Sequence, residues 1–267
     1  MELTNKRVLL TGGSGGLGRP LASLLVSNGA NLVVVGRNST SLDQLKQALA
    51  PATVECVSGD ITAAAFREQL ATQMAQSGGL DLLINLAGSN TFRNFEAEDP
   101  AELEAMFQTN LIAPVLLTRA LLPDMLQRGR GHIVNIGSIL GSLGMPYFTT
   151  YCATKAGLQR FSEALRRELA DTPVGVTYVA PRAVRTAINS DAVYQMAEAT
   201  NMAMDEPDAV AAQIFQAIKK ESSEAYLGWP EKLFVRINAL LPGFIDRATA
   251  KQNRETRRFA VDSSPEQ

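Results

Sequence analysis

The chain has 267 residues, 46% of them hydrophobic, and a formal net charge of −2. That is enough for one large α/β domain and too neutral for a general polyanion-binding surface, so nucleic acid is not an expected partner. Two cysteines, Cys56 and Cys152, make no disulfide framework and show no metal-ligand spacing, and the single histidine, His132, excludes a His-rich metal site, so no metal is expected. The N-terminus runs straight into a strand without a signal-peptide pattern, and no apolar run reaches the roughly 18 residues of a membrane span. A cytoplasmic protein, soluble or peripheral to a membrane, is expected.

Residues 7–10 read as a short apolar strand, followed by Thr11-Gly12-Gly13-Ser14-Gly15-Gly16-Leu17-Gly18 and a helix over 19–28 with Leu21, Leu24 and Leu25 inward. Strand, glycine-rich turn and helix form the setting a dinucleotide fingerprint requires. The glycines admit backbone close to a pyrophosphate, and the helix N-terminus supplies N–H donors and a positive dipole end. Gly12, Gly16 and Gly18 are spaced G-x-x-x-G-x-G rather than G-x-G-x-x-G.

A second strand, 31–35, ends in Gly36-Arg37-Asn38 with no acid between residues 30 and 40. An acid at this point usually holds a free ribose 2′-hydroxyl, whereas a guanidinium suits a 2′-phosphate. Arg37 therefore favours NADP(H) over NAD(H), against the alternative of a solvated arginine in a turn. A helix over 41–49 leads to a third strand, 53–57, and then to Ser58-Gly59-Asp60-Ile61. Ligands bind at such strand ends in open α/β sheets, so Asp60 could approach an adenine edge; equally, it could cap the next helix, 63–76. The fourth strand, 80–85, ends in Asn85-Leu86-Ala87-Gly88, whose small residues let backbone pass close to a cofactor.

Residues 101–127 read as a long helix in which Pro114 predicts a kink or an early break. Asn110 lies within its apolar face among Phe107, Leu111 and Val115, either as a helix-bending residue or as part of a proton path through water. Residues 132–136 form the fifth strand, ending in Gly137-Ser138. His132 enters that strand at the opposite end from Ser138, which assigns it a turn or strand-edge role. Thirteen residues after Ser138, Tyr151 opens a helix over 151–170, four residues before Lys155. Residues four apart share a helix face, so both can project into one cleft. A neighbouring ammonium lowers the pKa of a phenol from its usual value of about 10 toward the range useful for proton transfer. The pair alone is also what a surface lysine and a packed tyrosine would look like. The sixth strand, 175–179, precedes Pro181-Arg182-Ala183-Val184-Arg185-Thr186.

Thr11-Gly12-x-x-x-Gly16-x-Gly18, Asn85-x-Ala87-Gly88, Asn110, Ser138, Tyr151-x-x-x-Lys155 and Pro181-x-x-Val184-x-Thr186 occur in one order on one strand–helix ladder. Over roughly residues 4–228 the chain resembles the single-domain, NADP(H)-preferring branch of the short-chain dehydrogenase/reductase family. The resemblance implies a Rossmann-type, doubly wound, seven-stranded parallel sheet with helices on both faces, here with a C-terminal helical extension. It implies Tyr151 as acid/base, Lys155 as the group that lowers its pKa and binds the nicotinamide ribose, Ser138 as holder of the substrate oxygen and Asn110 as a relay. The cofactor would meet Gly12, Ser14, Gly16, Leu17, Gly18, Arg37, Asp60, Ile61, Asn85, Ala87, Gly88, Tyr151, Lys155, Pro181, Val184 and Thr186. A homodimer or homotetramer is implied in the same way. The competing function is a nucleotide-sensing or scaffold protein that keeps the fold without catalysis, against which the joint presence of Asn110, Ser138, Tyr151 and Lys155 argues.

Three departures stand out. Leu86 occupies a place where a second asparagine or similar residue is frequent, Gly15 a place where many NADP-preferring members carry a base, and Arg182 the place of the usual glycine after Pro181. Arg182 could meet a phosphate or an acidic substrate group, or point to solvent. Residues 187–205 should form a substrate lid; Ile188, Val193, Tyr194, Met196, Met202 and Met204 suit an apolar substrate, or ordinary lid packing. A helix over 207–219 and a last strand over 224–227 follow. Residues 229–258 form an apolar extension flanked by Lys232, Arg236, Arg247, Lys251, Arg254, Arg257 and Arg258. It could lie on an anionic membrane, pack on a partner subunit or cover the cleft. Similar extensions in members that act on lipids make a lipid-like ketone or alcohol the expected substrate. From about Thr256 the chain turns polar, and 259–267 are expected to be a disordered tail.

Overall fold

The computed structural model describes residues 1–261. Strand and helix alternate through most of it. The first half holds β1 (Arg7–Thr11), α1 (Gly18–Ser27), β2 (Asn31–Gly36), α2 (Ser39–Ala48), β3 (Val54–Ser58), α3 (Ala64–Gln76), β4 (Leu82–Asn85), α4 (Pro100–Phe107) and α5 (Ala113–Arg128). The second half holds β5 (Gly131–Ile136), α6 (Thr149–Glu168), β6 (Val174–Ala180), α7 (Asp191–Ala199), α8 (Pro207–Lys219), β7 (Glu224–Tyr226), α9 (Glu231–Leu240) and α10 (Pro242–Val261). The strands form one sheet in the order β3-β2-β1-β4-β5-β6-β7, and every pairing is parallel. The order reverses between β1 and β4, which opens a crevice at their C-terminal ends where such sheets bind ligands.

Alternation along the strands builds a core on each face. Val8 and Leu10 of β1 join Leu21 and Leu25 of α1 and Ile214 and Ile218 of α8. Leu9, between them, points the other way, toward Leu117, Leu121 and Met125 of α5 and Leu165 of α6. A parallel sheet covered on both faces needs apolar residues at both parities, which is why β1, β2 and β4 read as unbroken hydrophobic runs.

Helices α4 and α5 form one continuous helix, Pro100–Arg128, apolar enough over an 18-residue window (mean hydropathy 1.3) to meet the length and composition of a span, contrary to the sequence expectation. Its buried residues face the sheet, as in a core helix. The break expected at Pro114 takes the form of a π-helical turn, Gln108–Ile112, one turn earlier. Pro114 has no N–H for the carbonyl of Asn110, four residues back, and a wider turn accommodates the missing bond. His132 sits in a central strand rather than at an edge, buried, with Nε2 2.8 Å from Thr177 Oγ1 and its pKa lowered by burial. Residues 256–261, expected to lie in a polar tail, continue α10, because Thr256 and Ala260 fall on the same inner face as Ile245 and are buried with it. The rest of the expected tail, 262–267, lies outside the described residues.

Candidate active site

The cleft begins where β1 ends. Thr11 Oγ1 accepts hydrogen bonds from the N–H groups of Leu86 (3.1 Å) and Ala87 (3.2 Å), so β1 holds the chain leaving β4 in place. Gly12 turns with φ +71°, and a Cβ there would stand 2.9 Å from Ala87 Cα. A Cβ on Gly18 would stand 2.3 Å from the Gly12 carbonyl oxygen. These contacts leave backbone alone around the turn. Helix α1 starts at Gly18 without a side-chain cap from Leu17, so its N-terminal end is free to serve an anion.

The turn opens into a cavity of about 930 Å³ that extends from Arg37 and Asp60 to Tyr151 and Lys155. Every residue expected at the cofactor lines it except Asn85. Asn85 is the correction: its amide donates to Asn135 Oδ1 (2.8 Å) and Thr118 Oγ1 (3.3 Å), and Asn135 in turn donates to Ser162 Oγ (2.8 Å). This buried polar set ties β4 and β5 to α5 and α6 beneath the cavity. A strand-end asparagine has the sheet's interior on one side and the crevice on the other, and spacing alone does not distinguish them.

Helix α6 carries Tyr151 and Lys155 into the cavity, as their spacing predicts. Lys155 Nζ donates to the Ile136 carbonyl (3.1 Å) and lies 5.7 Å from the Tyr151 ring centroid. Burial pushes the Tyr151 phenol up to about 12, partly offset by a hydrogen bond with Ser138, and pulls Lys155 down to about 8. The expected lowering of the phenol by the ammonium is not what this geometry gives. Desolvation penalises the charged form of both groups, and Nζ stands over the ring and is engaged by a backbone carbonyl. At neutral pH Tyr151 therefore holds its proton.

Asn110 is fully buried and does not line the cavity. Its amide donates to the Ser89 carbonyl (2.9 Å) and Thr154 Oγ1 (3.2 Å) and accepts from Ser89 N–H (2.8 Å). A Cβ on Gly88 would stand 3.2 Å from Asn110 Oδ1 and 3.6 Å from Lys155 Nζ, so Gly88 lies close against both.

Ser138, at the end of β5, accepts at Oγ from Leu140 N–H (3.1 Å). Sequence reasoning missed what holds it. Tyr178 of β6, fully buried, accepts from Ser138 N–H (3.4 Å) and donates to Ser138 C=O (3.2 Å), clamping the backbone of that residue. A Cβ on Gly137 would stand 2.1 Å from the Tyr178 oxygen. The available signal was a lone tyrosine in an otherwise small and aliphatic strand.

The profile of the short chain dehydrogenases matches residues 6–197. The chain is 35% identical over 263 residues to a ketoacyl reductase, HetN, of Nostoc sp., covering 92% of this chain and 88% of that one. Two solved structures share the architecture. A short-chain dehydrogenase of Streptomyces avermitilis is 32% identical with a TM-score of 0.77, over 96% of this chain and 98% of that one. One of Burkholderia cenocepacia, in complex with NADP, is 25% identical with a TM-score of 0.80, over 93% and 99%. The chain belongs to the short-chain dehydrogenase/reductase family. Nicotinamide-dependent oxidoreduction is the chemistry general to that family, and the glycine turn, uncapped helix end and cavity fit such a dinucleotide.

In this dehydrogenase/reductase, side chains from distant segments close the far end of the cavity. Arg182 is partly buried and lines the cavity, where acids of the chain itself engage it. Its guanidinium pairs with Asp205 (Nε 2.8 Å, Nη2 2.6 Å), with Glu231 (3.1 Å) and with the Trp229 carbonyl (3.0 Å), and the Asp205 bond leads the causes that raise its pKa. One side chain thereby joins the end of β6, the end of the lid and the start of α9. Met145, Phe148, Val193, Met196, Phe234 and Ile245 wall the cavity beyond Tyr151. At the other end Arg37 is exposed, and Asp60 is held by Thr62 N–H (2.9 Å) and Oγ1 (2.8 Å), the first of which does most to lower its pKa. Asp60 thus stabilises a turn and lines the cavity at once, while α3 starts later, behind Ala63.

Proposed function

We propose that this chain is an NADP(H)-dependent reductase of ketones, working in reverse on secondary alcohols, whose substrate is apolar and lipid-like. The observation that carries the chemistry is that Ser138, Tyr151 and Lys155 line the same cavity as the glycine turn. When bound, the dinucleotide supplies the hydride for the carbonyl carbon. The Ser138 hydroxyl holds the substrate oxygen, and Tyr151, protonated at neutral pH, gives that oxygen its proton. Lys155 then faces a phenolate, whose charge its ammonium stabilises. Asn110 holds the backbone of Ser89 and the hydroxyl of Thr154, the chain neighbours of Gly88 and Lys155. The methionine- and phenylalanine-rich wall supports an apolar substrate, since thioethers adapt to irregular apolar shapes.

Arg37, which follows β2 in a stretch with no acid between residues 30 and 40, supports NADP(H). Titration with NADPH and NADH, followed by cofactor fluorescence, tests this. NADPH is expected to bind more tightly, and Arg37→Ala to weaken NADPH about ten-fold while leaving NADH unchanged, the loss of one charge-assisted phosphate contact. Equal binding of the two by the unmodified protein would show that Arg37 is solvated.

A further inference from the structure

The C-terminal helices differ from the rest of the chain in charge. Residues 229–261 carry seven lysines and arginines against three acids, a net of +4, whereas residues 1–228 carry a net of −4. Their inner faces are accounted for: Val235, Ile237 and Ile245 pack beside Ile139, Leu143 and Tyr178, and Phe234 and Ile245 wall the cavity. Their outer faces expose apolar side chains, Leu233 on α9 among them, and most strongly where the two helices meet. Where α9 ends and Pro242 starts α10, Leu240 is 80% exposed, Leu241 64% and Phe244 60%. Basic residues flank this corner. Arg236 is exposed on α9, and Arg247, Arg254 and Arg258, at i, i+7 and i+11, share the face of α10 opposite Ile245, Thr256 and Ala260. The exposed acids nearby are Asp246 and Glu255.

We propose that the α9–α10 corner docks on an anionic phospholipid surface. Leu240, Leu241 and Phe244 enter the acyl boundary, and Arg236, Arg247 and Arg254 meet the headgroup phosphates. Apolar side chains bordered by bases are the composition that binds such an interface, and each base near the surface adds to the affinity. Charge decides against a second copy as the occupant: in a two-fold contact the patch meets itself, which would set its surplus of bases against the same surplus. Because α9 and α10 also wall the cavity, a docked chain holds the substrate end of the site close to the bilayer. That consequence rests on the proposed apolar substrate; the docking itself does not.

Flotation of the full chain with phosphatidylcholine vesicles, alone or mixed with phosphatidylserine, tests the proposal without needing turnover, so its failure is distinct from failure of the proposed chemistry. The protein is expected to float with the mixed vesicles, weakly with phosphatidylcholine alone, and less at high salt. The triple variant Leu240→Ser, Leu241→Ser, Phe244→Ser and the double variant Arg247→Glu, Arg254→Glu should each bind the mixed vesicles about ten-fold more weakly or worse, with unchanged melting by circular dichroism. Three outcomes overturn the proposal: no flotation with either vesicle; flotation that survives both variants; or no flotation together with an oligomer that the triple variant dissociates, which assigns the corner to a second copy.

Discussion

The two ends of the cavity are built by different means. At the glycine turn the parts are backbone and come from neighbouring residues: Gly12, Gly16, Gly18 and the start of α1 all lie within one turn and its helix. At the closing end the parts are side chains brought from far apart, Arg182 with Asp205 and Glu231, Phe148 with Phe234 and Ile245. The first end tolerates almost no added atom, since a single Cβ on Gly18 would strike a carbonyl. The second is an assembly of adaptable apolar groups held by one charged strut. A site divided in this way has one end set by backbone and the other by side chains that can repack.

The largest expected effect tests the meeting point of the two. Tyr151→Phe removes the proposed proton donor and leaves the turn untouched, so turnover should fall about 10²- to 10⁴-fold while NADPH affinity, measured by fluorescence titration, stays close to normal. A fully active variant would sink the assignment of Tyr151. Next comes Gly18→Ala, which forces the turn open around a contact of 2.3 Å. NADPH affinity should drop ten-fold or more, with a stability loss of about 1–3 kcal/mol; unchanged binding would show the turn to be as adaptable as the lid.

Arg182→Ala addresses the closing end and should do the converse. Loss of its charge-assisted bonds leaves Asp205 and Glu231 without their shared partner and should cost roughly 2 kcal/mol in denaturant unfolding. Faster hydrogen exchange is expected in α9 and the lid, with NADPH affinity little changed. If exchange in those segments stays as slow as before, the strut does not hold them.

The smallest effect is the pH profile. Tyr151, with its pKa raised to about 12, is protonated throughout the neutral range, the form that reduction needs. Reduction should therefore be level through neutral pH and decline as Lys155 loses its proton near pH 8 and the phenolate loses its cation. Alcohol oxidation needs the phenolate, so it should rise as pH moves up from neutral. A reduction rate that climbs between pH 6 and about 8 would contradict a protonated Tyr151.

Much of this was legible in order along the chain. The strand and helix alternation, the turn at residues 11–18 and the Tyr151–Lys155 pair depend on spacing within a few residues, and spacing is what a sequence displays. The π-helical turn was half legible: Pro114 announced a disturbance, but its form depends on the bond that Asn110 lost and on the packing that kept the helix continuous. Asn85, Tyr178 and Arg182 were not legible, for one shared reason. Each is a polar side chain in a strand or just beyond its end whose direction depends on partners at least 23 residues away, such as Asp205 for Arg182.

By itself, then, the sequence determined the family, the fold and the glycine turn after β1, because those rest on local geometry and on the period of the apolar residues. Tertiary structure alone decided the rest. It turned Asn85 into the sheet, set Tyr178 beneath Ser138, bound Arg182 to the lid and α9, and raised the Tyr151 pKa where a nearby lysine suggested the opposite. The physical reason is that burial and long-range partners determine what a polar group does, and neither is visible until the chain has folded around it.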